Sequence, residues 1–191
     1  DFLVIAFTPN QNIFTDETIF LLKNLVEDLK KISGIKNVLS LFDVPLLEYS
    51  DQSISELAEN VVTLSTENVN LNKAKYEFET NEVYRGLLIS DDLRTIAFQI
   101  SLEPNREYQK LISERYDLLD QENSIDEETF KSNLKILDFE IEEQKKINLL
   151  KEGVLIKEVR NIINLYKDKG EIFLGGGAMI AHDTIKMIQQ D

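Results

Sequence analysis

Phe2-Leu3-Val4-Ile5-Ala6-Phe7 is the stretch on which the fold turns. Six apolar residues stand in a row without alternation. That pattern predicts a strand covered on both faces, in the middle of a sheet rather than at its edge. No turn, cap or polar tail leads into it, so the chain is expected to be part of a longer one. Thr8-Pro9-Asn10-Gln11-Asn12, which follows, is a loop by composition.

Working outward, Thr15 has the position of a helix N-cap, with Asp16 and Glu17 well placed against the helix dipole. Phe14 and Ile19 have the spacing of a hydrophobic staple. Ile19, Leu22, Val26 and Leu29 recur at intervals of three and four and define one buried face. Gly34 is placed to be the C′ residue that ends this helix. Val38–Phe42 reads as a second strand, closed by Pro45. Strand, helix and strand form a βαβ unit, for which a right-handed crossover is expected. Ser53 and Glu56 make a capping box ahead of Ile54, Leu57, Val61 and Leu64, predicting a short amphipathic helix. Asn68–Asn72 reads as polar loop and Lys73–Thr80 as one or two helical turns. Leu87–Ser90 and Thr95–Leu102 read as strands joined by an acidic turn, the second with alternating sides.

From Pro104 the pattern becomes helical. Asn105 caps a helix carrying Tyr108, Leu111, Arg115 and Leu118. Ser124 and Glu127 form another capping box, followed by Phe130, Leu134, Leu137 and Ile141 at coiled-coil spacing. The period continues as Leu155, Val159, Ile162 and Tyr166, with Gly153 a candidate joint. Between Glu103 and Glu152 lie 14 acids and 8 bases, so most of this surface is expected to be wet. A helical hairpin projecting from the sheet accounts for it, its apolar positions forming the seam between its own arms. Ile172–Leu174 is a last strand, closed by Gly175-Gly176-Gly177, and Ala178–Gln190 a final helix.

With insertions removed, the order is strand, helix, strand, strand, helix, strand. That predicts an α+β fold of the split βαβ, or ferredoxin-like, type with a helical hairpin insertion, in which the first strand is central. The expected organisation is a core of residues 1–102 and 171–191, with a small helical insertion at 48–82. Residues 103–170 supply the hairpin and the second core helix.

A net charge of −14 repels phosphate backbones, and no basic patch offsets it, so nucleic acid is not an expected partner. The same charge disfavours anionic lipid headgroups. No apolar run approaches the roughly 20 residues needed to span a bilayer, so this stretch is expected to be water-soluble. The absence of cysteine removes disulfides and thiolate metal sites. One histidine leaves little for catalysis or metal ligation, and no catalytic residue, metal or cofactor is expected. His182-Asp183 reads as a surface or interface pair rather than an acid–base pair. The triple glycine lacks the spacing of the nucleotide-binding fingerprints and reads as a tight turn. Paired acids such as Glu127-Glu128 and Glu142-Glu143 fit a solvated helix face, without calcium-loop spacing.

Four stretches in fixed order carry a family resemblance: a Thr-Pro followed by a helix, ISGIKNVLSLFDVPLL (Ile32–Leu47), NEVYRGLLISDDLRTIAFQISL (Asn81–Leu102) and FLGGGAMIAHDTI (Phe173–Ile185). Together they resemble the first extracytoplasmic loop, between transmembrane helices 1 and 2, of RND-superfamily exporters. The similar branch is the hydrophobe/amphiphile efflux-3 type, related to mycobacterial-membrane-large transporters. The resemblance implies a porter subdomain of ferredoxin-like fold that guides lipidic or amphiphilic substrates, with no enzymatic activity. Its partners would be the parent's second extracytoplasmic loop and transmembrane helices, the substrate, and further copies of the parent in a homo-oligomer. Its place would be the periplasmic face of the bacterial inner membrane. Proton-coupling residues would lie in the membrane helices, outside this chain. The positions matching the family strings are Pro9, Gly34, Asp43, Pro45, Tyr84, Arg85, Gly175, Gly176, Met179 and Asp183, each with an expected structural role. Where this chain has Gly177 and Ala178, the family often has a bulkier residue and a proline. Two other functions are compatible with the residues alone: a small-ligand-binding regulatory module of ferredoxin-like fold, and an interaction protein armed with a coiled coil through Phe130–Ile141.

Overall fold

The computed structural model describes residues 2–47, 61–177 and 179–180. The fold is α+β: a four-stranded antiparallel sheet with four helices among the described residues. It divides into two compact units, Asp1–Leu102 with Lys157–Asp191, and Glu103–Ile156.

In the first unit, β1 (Phe2–Pro9) pairs antiparallel on both sides, with β3 (Ile96–Leu102) and with β4 (Gly170–Gly175). With β2 (Ile35–Leu39) outside β3, the order is β2-β3-β1-β4. The first strand is therefore central, as expected, but it is not covered on both faces. Leu3, Ile5 and Phe7 are buried, whereas Phe2 is half exposed and Val4, Ala6 and Thr8 are partly exposed. The register explains the burial: Leu3, Ile5 and Phe7 stand opposite Ile100, Phe98 and Ile96, all fully buried. An antiparallel sheet needs only one apolar face to be stable, and Ala6 and Val4 are small or β-branched enough to tolerate the other.

Helix α1 (Asp16–Lys30) starts where expected, with the Thr15 hydroxyl accepting from the Thr18 amide. It buries Ile19, Leu22, Val26 and Leu29, and also Leu25. Gly34 is not its C′ residue. The helix is capped at Lys31, the Ile32 amide bonds back to the Leu29 carbonyl, and Gly34 at φ +90° serves the turn into β2. That strand starts three residues earlier than the apolar run Val38–Phe42 predicts. It ends at Leu39 because Asp43 accepts from both the amide (2.8 Å) and the hydroxyl (2.7 Å) of Ser40, curling the chain. Leu41 and Phe42 are buried in that curl rather than in a strand.

The Ser53–Glu56 capping box with Ile54 and Leu57 lies outside the described residues. The expected helix does not reach Val61–Leu64, which is not helical. Helix α2 (Leu71–Thr80) starts two residues before the expected Lys73, because Asn70 caps it by accepting from the Asn72 and Lys73 amides. Leu87–Ser90 is not a strand. Leu88 and Ile89 are buried and Ile89 bridges Ile96 singly, but Leu87 is exposed and the segment is a series of turns.

In the second unit, α3 (Arg106–Asp120) is capped by Asn105, as expected. The next helix, α4 (Glu127–Leu165), is capped by Asp126, which accepts from the Thr129 amide, and not by Ser124. It runs for 39 residues, and Gly153 does not divide it. The Asn105–Asn148 bond and the Arg115–Asp138 pair (2.7 Å) show the two helices running antiparallel. Phe130 and Ile141 are buried with Leu111 and Leu118, while Leu134 and Leu137 are partly exposed, so this seam is internal to the hairpin.

Beyond α4, Tyr166 donates to the Asp28 carboxylate of α1 at 2.8 Å. Burial, then the hydrogen bond to Asp28, pushes the tyrosine hydroxyl well above its usual range. Lys31 and Tyr166 together hold Asp28 below the usual carboxylate range. Folded Asp28 thus gives up its proton more readily than unfolded Asp28. The stabilisation is full above the unfolded value, near 4, and is lost as the pH falls through the folded one. Tyr166→Phe should cost about 1 kcal/mol in urea unfolding at neutral pH, and the difference from wild type should shrink well below the aspartate range.

Candidate functional site

A cleft of about 370 Å³ opens beside the end of β1. Its walls are the loop from Pro9 to Phe14, Lys75 and Glu79 of α2, and the turn Asp91-Asp92-Leu93-Arg94. Hydrogen bonds and helical spacing position the walls. The loop is held by the Asn10 side-chain amide, which donates to the Asp168 carbonyl, and by Asn12, which accepts from the Phe14 amide. Lys75 and Glu79 are one helical turn apart and so share a face of α2. The turn is closed by Ser90, whose hydroxyl bonds Asp92 (2.6 Å) and accepts from the Thr95 amide (2.9 Å).

The Ser90 hydroxyl, and then the Arg94 amide, hold Asp92 below the usual carboxylate range. Arg85 pairs with Asp91 at 3.0 Å and reaches the Glu79 carbonyl at 3.4 Å. Leu93 sits at φ +54°, a left-handed conformation that costs a bulky residue on the order of 1 kcal/mol. The cleft therefore mixes acids with Lys75 and Arg94. That arrangement can pair with a small polar or zwitterionic group. The shift at Asp92 is away from neutrality and does not favour proton transfer. Among the described residues no group of three or more His, Cys, Asp or Glu stands where it can hold a metal ion.

The expected positions fall into three places. Pro9 and Arg85 lie at the cleft or its rim. Tyr84 and Pro45 meet below it: the tyrosine hydroxyl donates to the Pro45 carbonyl at 2.7 Å. Burial, and then the charge of Glu77, pushes that hydroxyl up. Phe14, Phe78 and Tyr84 form a row with ring centroids 5.8 and 5.4 Å apart, joining the cleft wall to this anchor. Gly175, Gly176 and Met179 lie at the far end of β4, Asp43 and Gly34 flank β2, and Asp183 lies outside the described residues, as does His182. The positions thus do not converge on one centre.

The glycines of the triple run are not equivalent. Gly176 has φ +120°, and a Cβ there would lie 2.8 Å from the Phe2 carbonyl oxygen. Gly175 and Gly177 have open space where a Cβ would go. Gly170, which sequence reasoning passed over, is as constrained: its Cβ would lie 2.7 Å from the Pro9 Cα. Its only sequence signal is a glycine ahead of an apolar triplet. Buried Glu77, bonded to the Asn81 side-chain amide at 3.1 Å, likewise carries no signal in the sequence.

No helix among the described residues is long and apolar enough to cross a membrane. Comparison with known proteins finds no family model, no curated protein and no solved structure that matches this chain. The glycine geometry is directly testable. Gly176→Ala should lower stability by about 2 kcal/mol in denaturant unfolding, and Gly177→Ala by less than about 0.5 kcal/mol.

Proposed function

We propose that the chain is an extracytoplasmic porter subdomain of an RND-type exporter of lipids or other amphiphiles, with a ferredoxin-like split βαβ core. The observation that carries this is the convergence of the family strings on one sheet. Ile32–Leu47 contains β2 and its Ser40–Asp43 curl, Asn81–Leu102 contains the Tyr84 anchor and β3, and Phe173–Ile185 begins in β4. The strand order β2-β3-β1-β4, all antiparallel, is the order expected of a split βαβ unit. A further support is the placement of the first and last strands. Val4 stands opposite Gly175, and Gly176 approaches Phe2, so the two strands begin and end at the same end of the sheet. A domain inserted between two membrane helices needs that arrangement.

In this role the subdomain is not an enzyme and needs no cofactor. It lines part of a substrate path and moves with the membrane helices and the second extracytoplasmic loop. The partly exposed outer face of the sheet, with Phe2, Val4 and Phe173, offers the apolar surface for that role. The charged cleft favours a second function, a regulatory module that binds a small polar ligand.

The parent gene decides between them. Under the exporter proposal, an apolar segment of about 20 residues lies close before Asp1 and another close after Asp191, and the intact protein fractionates with the inner membrane. A parent without both segments ends the proposal. Saturable binding of a small zwitterion by the isolated chain, lost in Arg94→Ala, would then favour the regulatory module.

A further inference from the structure

Helix α4 carries a second apolar stripe. At about 100° per residue, Ile136, Phe139, Ile147, Leu150 and Val154 fall within an arc of about 80°. That arc lies roughly 130° round the helix from the buried positions Phe130, Ile141 and Leu155. All five side chains are exposed, Phe139 by 66% and Leu150 by 72%. They belong to the unit Glu103–Ile156, within which the hairpin seam is already filled by other residues. A solvated helix has no need of such a stripe, which is about 27 Å long at 1.5 Å per residue.

The charges beside the stripe indicate what covers it. Glu140 borders its first half and Lys151 its second, on the same side; Lys146 borders the other side, and Glu143 falls within the arc. Glu143 and Lys146 pair within the chain at 2.6 Å, while Glu140 and Lys151 make no ion pair among the described residues. Two copies of α4 laid antiparallel about residue 145 bring Ile136 to the other copy's Val154 and Phe139 to its Leu150. The same operation sets Glu140 beside the other copy's Lys151, on the same side of the seam, and Glu143 near its Lys146. A parallel pair would instead set acid against acid and lysine against lysine. We infer that this face of α4 is an interface between two copies of this chain, an antiparallel, two-fold helix pair closed by its own charge pattern.

Sedimentation equilibrium of the 191-residue chain should show a mass of 22.1 kDa when dilute, rising to twice that with concentration. Phe139→Gln with Leu150→Gln, both exposed and both keeping a good helix former, should raise the dissociation constant at least tenfold with unchanged circular dichroism. Glu140→Lys should raise it about fivefold, and adding Lys151→Glu should restore it. The chain has no cysteine, so oxidative cross-linking gives an independent readout that does not depend on weakening the pair. Ile136→Cys mixed with Val154→Cys should yield a disulfide-linked dimer, and neither variant alone should. A chain that stays monomeric at every concentration overturns the inference. So does a dimer indifferent to the glutamine substitutions, or one that cross-links through each cysteine variant alone.

Discussion

The antiparallel pairing of β1 on both of its edges is the constraint on which the rest of the first unit depends. Its amides and carbonyls are shared between β3 and β4, so its register sets theirs, and a slip of one residue would turn Leu3, Ile5 and Phe7 to solvent. The same closeness leaves no room for a side chain at Gly170 or Gly176, where the backbone of β1 occupies the space. Segments far apart in the chain are therefore held by one central strand. The Tyr166–Asp28 bond adds a tie between α1 and the turn before β4.

Much of this is legible in the sequence, because burial and periodicity act locally. Thr15 and Asn105 announce their helices through side chains that reach amides three residues ahead, and Ile19 through Leu29 declare a face by spacing alone. Phe2–Phe7 shows the limit of that logic. An unbroken apolar run marks a central strand, but it does not say whether the second face is covered, since Val4 and Ala6 are tolerated half exposed. Boundaries fail where polar side chains redirect the chain. Ser40 and Asp43 end β2 before its apolar run is over, and Asp126 displaces Ser124 as a cap because it stands immediately before the first helical turn. Gly34 has the residue type of a helix terminator but serves the following turn.

The cleft and the Tyr84–Pro45 anchor are less legible, and the reason is sequence distance. Pro45 and Tyr84 are 39 residues apart, and the cleft joins three segments that lie far apart in the sequence. Arg85 and Tyr84 stand out in the sequence by family resemblance alone. In the fold Arg85 forms an ion pair with Asp91, and Tyr84 places a buried hydroxyl on a carbonyl. Helix α4 illustrates a different limit. One apolar period, Phe130 to Ile141, fills the hairpin seam and masks the second stripe in the sequence. A 39-residue helix has room for two such faces, and only solvent exposure separates them.

The most direct test of β1 as the organising strand is native-state hydrogen exchange resolved by residue. Amides from Leu3 to Thr8 should exchange only through global unfolding, more slowly than those of α2 and at least as slowly as those of Leu22–Leu29 in α1. Exchange of the β1 amides through a local opening, while α1 stays protected, would contradict the account.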